Sequence, residues 1–283
     1  MSISIKKNDE IKLDIPKFLC DNDAVGHHLN EHPLTALLNI YGITCLIGRP
    51  SSGKSSLAIA LITQKKPKIF RKTHNHVIVM IPANSIGSLK KNPFACLPPE
   101  NIYNELTDQT IHKVYSDIDN ASKEDEKTLL YIDDMTTDLK KSKFIIETLK
   151  RMIYNRRHLK LNIIITAQSY VNLPLDLRKN ITNLILFRPP KKEMELIFAE
   201  MIESKKDLFC DVMKLAFDSA HNFLFVNVPS QRMFKNFDEL IFHEDDSVLT
   251  PRGRDQAVNS TTQNLLNLLL KKIGEDRKKN IQF

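Results

Sequence analysis

The sequence predicts an α/β fold in which a mostly parallel sheet carries helices on both faces. Three observations support this prediction. Short β-branched or apolar runs alternate with longer segments whose apolar residues recur at helical spacing. The first strong strand runs into a loop with the glycine and lysine pattern of a phosphate site, and a helical segment follows at once. Two later strands end in polar side chains, as expected where ligands bind at the carboxyl edge of a parallel sheet.

The predicted elements alternate along the chain. Five runs are typical of buried strands: ITCLI at 43–47, HVIVMI at 76–81, TLLYI at 128–132, NIIIT at 162–166 and NLILF at 183–187. Three segments have the spacing of helices: SSLAIALI at 55–62, FIIETLKRMI at 144–153 and EMELIFAEMI at 193–202. We expect FLFVNV at 223–228 to add a strand at one edge of the sheet. The polar stretch SDIDNASKEDEK at 116–127 predicts a surface loop.

Length and composition restrict the class of protein. A chain of 283 residues can bury one full α/β core without the help of disulfides or metal ions. Its 42% hydrophobic and 27% charged residues are typical of globular proteins, and no apolar run reaches the roughly 18 residues of a membrane-spanning helix. The first residues, MSISIKKNDEIKLDIPKF, lack the apolar segment of a signal peptide. We therefore expect a soluble protein that stays inside a cell.

Charge and cysteine content give weaker information about partners and redox state. The formal net charge of +7, from 41 Lys and Arg against 34 Asp and Glu, mildly favours a polyanionic partner such as nucleic acid. Cys20, Cys45, Cys96 and Cys210 are scattered, without the spacing of a zinc site. This distribution predicts reduced thiols.

The segment GRPSSGKSS at 48–56 fits the phosphate-loop pattern G-x-x-x-x-G-K-[ST]. A predicted strand precedes it and a predicted helix follows it, so successive backbone N–H groups and the helix N-terminus would face a phosphate chain. Lys54 would reach the β- and γ-phosphates, and the Ser55 hydroxyl would bind Mg²⁺. The predicted ATP contacts are Gly48, Arg49, Pro50, Ser51, Ser52, Gly53, Lys54, Ser55 and Ser56.

A pair of acidic residues ends the predicted strand within TLLYIDDMTTD. Adjacent carboxylates at the end of a buried strand need a cation nearby, and Mg²⁺ is the natural candidate. We predict that Asp133 binds the metal and that Asp134 orients or deprotonates the attacking water. A solvated acidic turn is the alternative interpretation of this pair.

Further candidate residues of the ATP site lie before and after the predicted strand NIIIT. Gln168 follows its end and would lie at the same edge as the phosphate loop, where it can sense the γ-phosphate. An ordinary hydrogen bond within the loop is the alternative role for Gln168. Arg157 and Arg178 are candidates to stabilise the charge of the phosphoryl-transfer transition state, in their own subunit or in a neighbour. Arg156 is a further candidate, and an ordinary surface ion pair is the alternative role for each arginine.

These motifs resemble one known family, the DNA-packaging ATPases of large double-stranded DNA viruses. The resemblance is to the poxvirus and giant-virus type within the FtsK/HerA superfamily, and it runs from about Leu46 to Leu240. Its most specific segment is RHLKLNIIITAQSYVNLPLDLRKNI. The resemblance implies a three-layer P-loop NTPase fold in which the Gln-bearing strand lies between the phosphate-loop strand and the acidic strand. One departure is Asp134, where the wider superfamily often has Glu.

The resemblance also implies an assembly and a function. It implies a homo-oligomeric ring with ATP sites between subunits, double-stranded DNA in a central channel, an arginine acting in trans, and a capsid or portal-vertex partner. We therefore predict a Mg²⁺-dependent ATPase that translocates viral DNA into a capsid, located in the host cytoplasm at the viral factory, with association with the virion left open. A nucleotide kinase and a nucleotide-gated capsid-assembly protein with little turnover are the alternatives.

The predicted organisation has three parts. Residues 1–40 form an N-terminal extension, residues 41–245 form the P-loop ATPase domain, and residues 246–283 form a C-terminal tail whose segment NLLNLLLKKI is typical of a short amphipathic helix. A basic stretch within the domain either faces DNA or is a solvated helix face. It comprises Lys140, Lys141, Lys143, Lys150 and Arg151.

Overall fold

The computed structural model of the chain describes residues 2–6, 38, 41–66, 68–87, 92–202 and 206–243. The strands in these ranges are β1 Ser2–Lys6, β2 Ile43–Gly48, β3 His76–Met80, β4 Ile102–Tyr103, β5 Thr128–Asp133, β6 Leu161–Ala167, β7 Asn183–Phe187, β8 Leu224–Asn227, β9 Arg232–Lys235 and β10 Asp238–His243. The helices are α1 Lys54–Thr63, α2 Ala83–Gly87, α3 Asp108–Lys123, α4 Lys143–Asn155, α5 Leu175–Lys179, α6 Lys191–Met201 and α7 Lys206–Ala216. All five predicted strands and all three predicted helices are confirmed.

The strands form a single sheet in the order β1-β10-β9-β8-β7-β2-β6-β5-β3-β4. Parallel pairing joins β7, β2, β6, β5, β3 and β4. Antiparallel pairing joins β7 to β8, β8 to β9 and β9 to β10. The predicted α/β fold with a mostly parallel central sheet is therefore confirmed, and an antiparallel extension continues it beyond β7.

Apolar side chains of the parallel strands pack on both faces of the sheet. On β2, Leu46 packs in one core with Leu57 of α1, whereas Cys45 and Ile47 pack in a second core with α4 and α6. Successive residues of a strand point to opposite faces, so a strand buried on both faces is predominantly apolar. Helices on both faces of one sheet give the three layers that the sequence predicts.

Helix α3 corrects the prediction of a surface loop at 116–127. The helix begins after Thr107, whose side chain forms a capping box with Thr110, and it continues to Lys123. Its buried residues lie on one face at helical spacing: Ile111, Val114, Ile118 and Ala121. The loop prediction was wrong over 116–123, because the many polar residues on the solvent face concealed a sparse but regular apolar stripe. Residues 124–127 form the connection to β5 without helix or strand, as predicted.

The segment FLFVNV forms β8, as predicted, but β8 is not an edge strand. It pairs with β7 on one side and with β9 on the other, and β10 and β1 extend the sheet further. The strands β9 and β10 have only two and three consecutive apolar residues, flanked by polar ones, so their apolar runs were too short to predict. Strand β1 lies within the predicted N-terminal extension and contributes to the sheet.

The described residues between Ile3 and Phe242 belong to one compact unit of the chain. None of the helices in the described ranges combines the length and the apolar character needed to cross a membrane. Most of the predicted extension and the whole predicted tail, including NLLNLLLKKI, lie outside the described residues. The three-part division of the chain therefore stays a prediction.

Candidate active site

The strand order brings three strand ends together at one edge of the sheet. Strand β2 pairs with β6, and β6 pairs in turn with β5, all parallel. In this register Ile47 lies opposite Ala167, and Asp133 lies opposite Thr166. The Gln-bearing strand therefore lies between the phosphate-loop strand and the acidic strand, as the resemblance implies.

The two glycines of the phosphate loop are required by its geometry. A Cβ atom on Gly48 would lie 2.6 Å from Ser52 Oγ and 2.7 Å from Phe187 Cβ, which is closer than packed atoms approach. Gly53 has a φ of 103°, a backbone conformation that side chains disfavour, and it caps the N-terminus of α1. Lys54 begins α1 and is only 6% exposed. The loop thus turns tightly and directs Lys54 into the protein beside the loop.

Three hydroxyl groups surround the carboxylate of Asp133, which is only 3% exposed. Its Oδ1 accepts hydrogen bonds from Ser55 Oγ at 2.9 Å, Tyr131 OH at 2.7 Å and Thr166 Oγ1 at 2.6 Å. Burial and the charge of Asp133 raise the pKa of Tyr131 well above its usual value, so the phenol stays protonated and donates. These donors compensate the cost of burying a carboxylate.

The same residues fit the Mg²⁺ ion that was predicted at Ser55 and Asp133. A hydroxyl and a carboxylate are hard oxygen ligands of the kind that Mg²⁺ prefers, and the two oxygens lie 2.9 Å apart. The three hydrogen bonds converge on Oδ1 of Asp133, so its Oδ2 is the oxygen that can accept a cation or a cation-bound water. Within the described ranges no group of three His, Cys, Asp or Glu side chains is arranged to hold a metal. Mg²⁺ is usually held by only one or two protein ligands, together with waters and phosphate oxygens, and Ser55 and Asp133 would be sufficient for such a site.

Asp134 and Gln168 are joined by a hydrogen bond at the open side of the site. Gln168 Nε2 donates to Asp134 Oδ2 at 2.7 Å. The backbone N–H of Asp134 donates to Thr166 Oγ1 at 2.9 Å, and its φ of 52° is a left-handed value that is uncommon outside glycine. A continuous chain of hydrogen bonds therefore connects Ser55 of the phosphate loop, through Asp133 and Thr166, with Asp134 and Gln168.

Glu193 anchors the turn that follows Gln168. Its Oε1 accepts hydrogen bonds from Ser169 Oγ at 2.7 Å, from the backbone N–H of Tyr170, and from the backbone N–H of Val171 at 3.3 Å. The carboxylate satisfies the first N–H groups of this short turn, as a helix-capping residue does. Glu193 therefore fixes the direction in which the chain leaves Gln168, a role that the sequence did not predict.

The structure corrects the expected neighbourhood of Arg157. It lies exposed in the turn between α4 and β6, at the edge of the sheet where β6 begins. The phosphate loop lies at the opposite edge, about 20 Å away along seven strand residues. Proximity in sequence to β6 was misleading, because the start and the end of a strand lie on different edges. Arg157 does not reach the site of its own subunit, and its action on a neighbour stays a prediction.

Arg178 is held by groups of its own chain. Its guanidinium makes an ion pair with Glu200 at 3.1 Å and stacks over the ring of Tyr170, 5.1 Å from the centroid. The Tyr170 hydroxyl also donates to Glu200 at 2.8 Å. Arg156, the further candidate, donates to the carbonyl of Ile153 at 2.9 Å, and burial lowers its pKa. The catalytic roles predicted for these arginines stay predictions.

The basic stretch around α4 is partly neutralised by acidic neighbours. Lys150 pairs with Asp176 at 3.0 Å, and this hydrogen bond lowers the pKa of Asp176. Lys141 pairs with Asp138, whereas Lys143 and Arg151 are exposed. The side chain of Lys140 lies outside the description. Whether this basic stretch faces DNA therefore stays a prediction.

His221 touches the phosphate loop from the antiparallel part of the sheet. Its Nδ1–H donates to the carbonyl of Ser52 at 3.1 Å. The loop that carries it is anchored by an ion pair between Lys235 and Asp218 and by a hydrogen bond from Asn222 to Asp218 at 2.6 Å. No sequence motif marks His221, because it lies 169 residues away from its partner in the chain.

The positions of Tyr131 and Thr166 in the sequence could have identified them as supporting residues of the site. Tyr131 precedes Asp133 by two residues, and Thr166 precedes Gln168 by two. Residues two apart on a strand face the same side of the sheet. A hydroxyl at either position can therefore support the polar residue at the strand end.

The fold and the site define the class of protein. A phosphate loop between β2 and α1, an acidic strand end, and a Gln-bearing strand between the two strands are the features of a P-loop NTPase with an inserted sensor strand. The model of the family described as Poxvirus A32 protein matches residues 35–265, well over half of the chain. The chain belongs to this family, which confirms the resemblance to the poxvirus type.

Solved structures share the fold. The genome packaging NTPase B204 from Sulfolobus turreted icosahedral virus 2, in complex with AMP, is 19% identical, with a TM-score of 0.51 over 70% of this chain and 97% of that chain. The DNA-packaging ATPase B204 from Sulfolobus turreted icosahedral virus is 18% identical, with a TM-score of 0.54 over 69% of this chain and 97% of that chain. No curated protein sequence matches the chain significantly.

Replacing Thr166 with Val tests the hydrogen-bond chain. The variant keeps the shape of the side chain but removes one donor to Asp133 and the acceptor of the Asp134 N–H. We expect the free energy of unfolding to fall by about 1–3 kcal/mol, measured by urea denaturation. Thr128→Val is the matched control, because the Thr128 hydroxyl is buried at the other end of β5 and has no hydrogen-bond partner in the described structure. Equal losses in the two variants would contradict the role of Thr166.

Replacing His221 with Ala tests the contact with the phosphate loop. The Ser52 carbonyl loses its donor, so we expect the Kd for ATP to rise about threefold to tenfold, measured by calorimetry. His221→Gln keeps an N–H donor and should restore part of the affinity. His158→Ala, exposed at the opposite edge of the sheet, is the control and should bind ATP like the wild type. An unchanged Kd in His221→Ala would rule out this role.

Proposed function

We propose that this protein is a Mg²⁺-dependent ATPase that moves double-stranded viral DNA into a capsid. The observation that carries the hydrolytic part is the continuous hydrogen-bond chain from Ser55 of the phosphate loop to Gln168. This chain ends in a carboxylate, Asp134, and an amide, Gln168, beside the end of the phosphate loop. That arrangement suits transfer of the γ-phosphoryl group to water.

Each residue of the site has a role in this reaction. The ammonium of Lys54 and the N–H groups of the loop bind the phosphates and balance their negative charge. Gln168 and Asp134 orient the attacking water at the γ-phosphorus, and the Asp134 carboxylate accepts a proton of that water. The new bond joins the water oxygen to phosphorus, and the bond to the bridging oxygen of ADP breaks. Mg²⁺ held by Ser55 and Asp133 would neutralise charge on the leaving phosphate oxygens.

The hydrogen bond between Gln168 and Asp134 suits a sensor. The amide donates to the carboxylate at 2.7 Å, and Gln168 is exposed while Asp134 is half-buried. A γ-phosphate beside Gln168 would compete with Asp134 for the amide N–H group. Binding and loss of that phosphate would therefore change the position of Gln168, and the turn anchored by Glu193 would transmit the change.

Membership in the Poxvirus A32 protein family supports a packaging role. The structures that share the fold are described as a genome packaging NTPase and a DNA-packaging ATPase. The net charge of +7 is compatible with a nucleic-acid partner. The proposal extends to a homo-oligomeric ring around DNA, to docking on a capsid or portal-vertex protein, and to action at the viral factory in the host cytoplasm.

The proposal predicts DNA-stimulated hydrolysis of ATP. Double-stranded DNA should raise the ATPase rate, and Lys54→Ala should abolish it because the phosphates lose their main cation. Asp134→Asn should lower kcat by a factor on the order of 100 or more while ATP still binds. Asp108→Asn is the control, since Asp108 is exposed at the start of α3, beyond the edge strand β4. Phosphate release measured with and without DNA decides the outcome.

Three results would contradict the proposed function. Hydrolysis that is indifferent to DNA of any form contradicts a motor. Formation of ADP that depends on a nucleoside monophosphate indicates a kinase. ATP-dependent oligomer formation with little turnover indicates an assembly protein.

Mixed oligomers test the arginines. Arg157 is exposed, whereas Arg178 is bound to Glu200, so we expect Arg157→Ala to inhibit wild-type oligomers more steeply than its share of subunits. An arginine in trans can contribute a factor of about 10³ to 10⁵ to turnover. Arg178→Ala should lower activity only in proportion, with a lower melting temperature from its lost ion pair. Arg151→Ala and Lys179→Ala are controls, and a proportional loss for Arg157→Ala would exclude it as the trans residue.

A further inference from the structure

A cavity of about 430 Å³ lies between α3 and the edge of the sheet that β3 and β4 form. Ile78 of β3, Thr128 of β5 and the face of α3 that carries Asp117 line it. His76 and Thr128 are the first residues of β3 and β5, so the cavity reaches the edge of the sheet opposite the phosphate loop. Its volume lies within the range of roughly 300–1,000 Å³ of small-molecule sites. The ATP site described above does not use this cavity.

The hydroxyl of Thr128 is buried at this cavity without a partner. Thr128 is 0% exposed, and its Oγ1 has no hydrogen-bond partner in the part of the chain that the structure describes. Thr128 lies two residues before Leu130, which packs in the core with residues of α3, so both side chains point to the side of the sheet where the cavity lies. A buried hydroxyl without a hydrogen bond is unfavourable, and an N–H group of a ligand would satisfy it.

The ionisable side chains around the cavity are mostly acidic. Four carboxylates line it, against a single lysine, Lys113. These carboxylates belong to Glu100, Asp117, Glu124 and Glu126. Neither Glu100 nor Glu124 forms an ion pair with any other described residue. The C-terminus of α3 lies beside Glu124, and its free carbonyl groups add negative potential. A chain whose net charge is +7 therefore has a local site for a cation here.

The turn after α3 holds the backbone of two of these carboxylates in place. The N–H of Glu126 donates to the carbonyl of Ala121 at 3.0 Å, and Asp125 has a left-handed φ of 66°. The Glu126 carboxylate contacts Nε2 of His76, which lies opposite Thr128 in the sheet. The N–H of His76 donates in turn to the carbonyl of Lys127 at 3.1 Å. The acidic turn is thus joined both to α3 and to β3.

The spacing of the carboxylates indicates which kind of cation fits. Asp117 and Glu124 are seven residues apart, so they lie on one face of α3, about 10 Å from each other along its axis. Oxygen ligands of a metal ion lie within about 2.6 Å of it, so these two carboxylates cannot share one ion. The buried apolar residues Ile78 and Ala121 form part of the wall. An alkyl chain with an ammonium group at each end matches this arrangement.

We propose that this cavity binds a linear polyamine. One terminal ammonium group pairs with Asp117, and the other pairs with Glu124 and donates to the Thr128 hydroxyl. The alkyl chain between them packs on Ile78 and Ala121. This site goes beyond the proposed ATPase function and does not depend on it, because it lies at the opposite edge of the sheet.

A series of amines tests the proposal on the unaltered full-length protein, free of nucleic acid and nucleotide. Calorimetry at physiological salt should show that spermidine binds at one site. Among diamines of equal charge, 1,8-diaminooctane should bind about tenfold more tightly than 1,3-diaminopropane, because only the longer chain reaches from Asp117 to Glu124. Octylamine, which has the alkyl chain but one ammonium group, is the control and should bind weakly.

Substitutions give an independent measurement. Glu124→Gln and Asp117→Asn should each raise the Kd for spermidine on the order of tenfold. Asp119→Asn is the matched control, because Asp119 belongs to the same helix but pairs with Lys123 outside the cavity. Thr128→Val should raise the Kd about threefold, whereas Thr128→Ser keeps the hydroxyl and should bind like the wild type. Melting temperatures without ligand show whether each variant is folded.

Several results would overturn the proposal. Equal Kd values for the two diamines show that charge alone attracts them, and octylamine that binds as tightly as 1,8-diaminooctane shows that the alkyl chain alone does so. An equal loss in Asp119→Asn indicates diffuse attraction to the whole helix. Displacement of spermidine by an equal concentration of Mg²⁺ assigns the carboxylates to a metal ion. The absence of spermidine binding refutes this site and leaves the ATPase function untouched.

Discussion

The buried carboxylate of Asp133 is the constraint on which the site depends. A carboxylate that is 3% exposed needs donors, and it receives three hydroxyl groups on one oxygen. These donors come from three different elements: Ser55 from α1, Tyr131 from β5 itself and Thr166 from β6. Their convergence requires that α1 begins above the ends of these strands and that β5 and β6 keep their register. The hydrogen bonds around Asp133 therefore form only with this sheet order and this geometry of the phosphate loop.

The central position of β2 gives the site two distinct sides. On one side, β6 and β5 supply Gln168, Asp134 and Asp133, which are suited to chemistry at the γ-phosphate. On the other side, β7 and α7 surround a cavity with apolar and cationic walls. The antiparallel strands add a third contribution, because their loop places His221 against the Ser52 carbonyl. A single strand order thus separates the groups suited to chemistry at the γ-phosphate from the cavity on the other side of the phosphate loop.

The sequence predicted elements well where apolar residues are dense and poorly where they are sparse. The five parallel strands that were predicted are rich in consecutive apolar residues, because a strand buried on both faces lacks the regular polar alternation of a strand with one solvated face. Helix α3 was taken for a loop, because only four of its residues face the core. The neighbourhood of Arg157 was misjudged for another reason: it comes just before β6, and the start of β6 lies at the edge of the sheet opposite the phosphate loop. Distance along the chain does not state at which edge of a sheet a residue lies.

The sequence by itself determined the α/β class and the phosphate loop, with its expected partners Asp133 and Gln168. Contiguous residues create both signals, since a phosphate loop folds from one short segment and a buried strand needs an unbroken apolar run. The tertiary structure alone decided which distant residues meet there. Glu193, which holds the turn after Gln168, and His221, which contacts the phosphate loop, make contacts between elements far apart in the chain. Their spacing in sequence is set by the lengths of intervening helices and loops, so no local pattern could have predicted them.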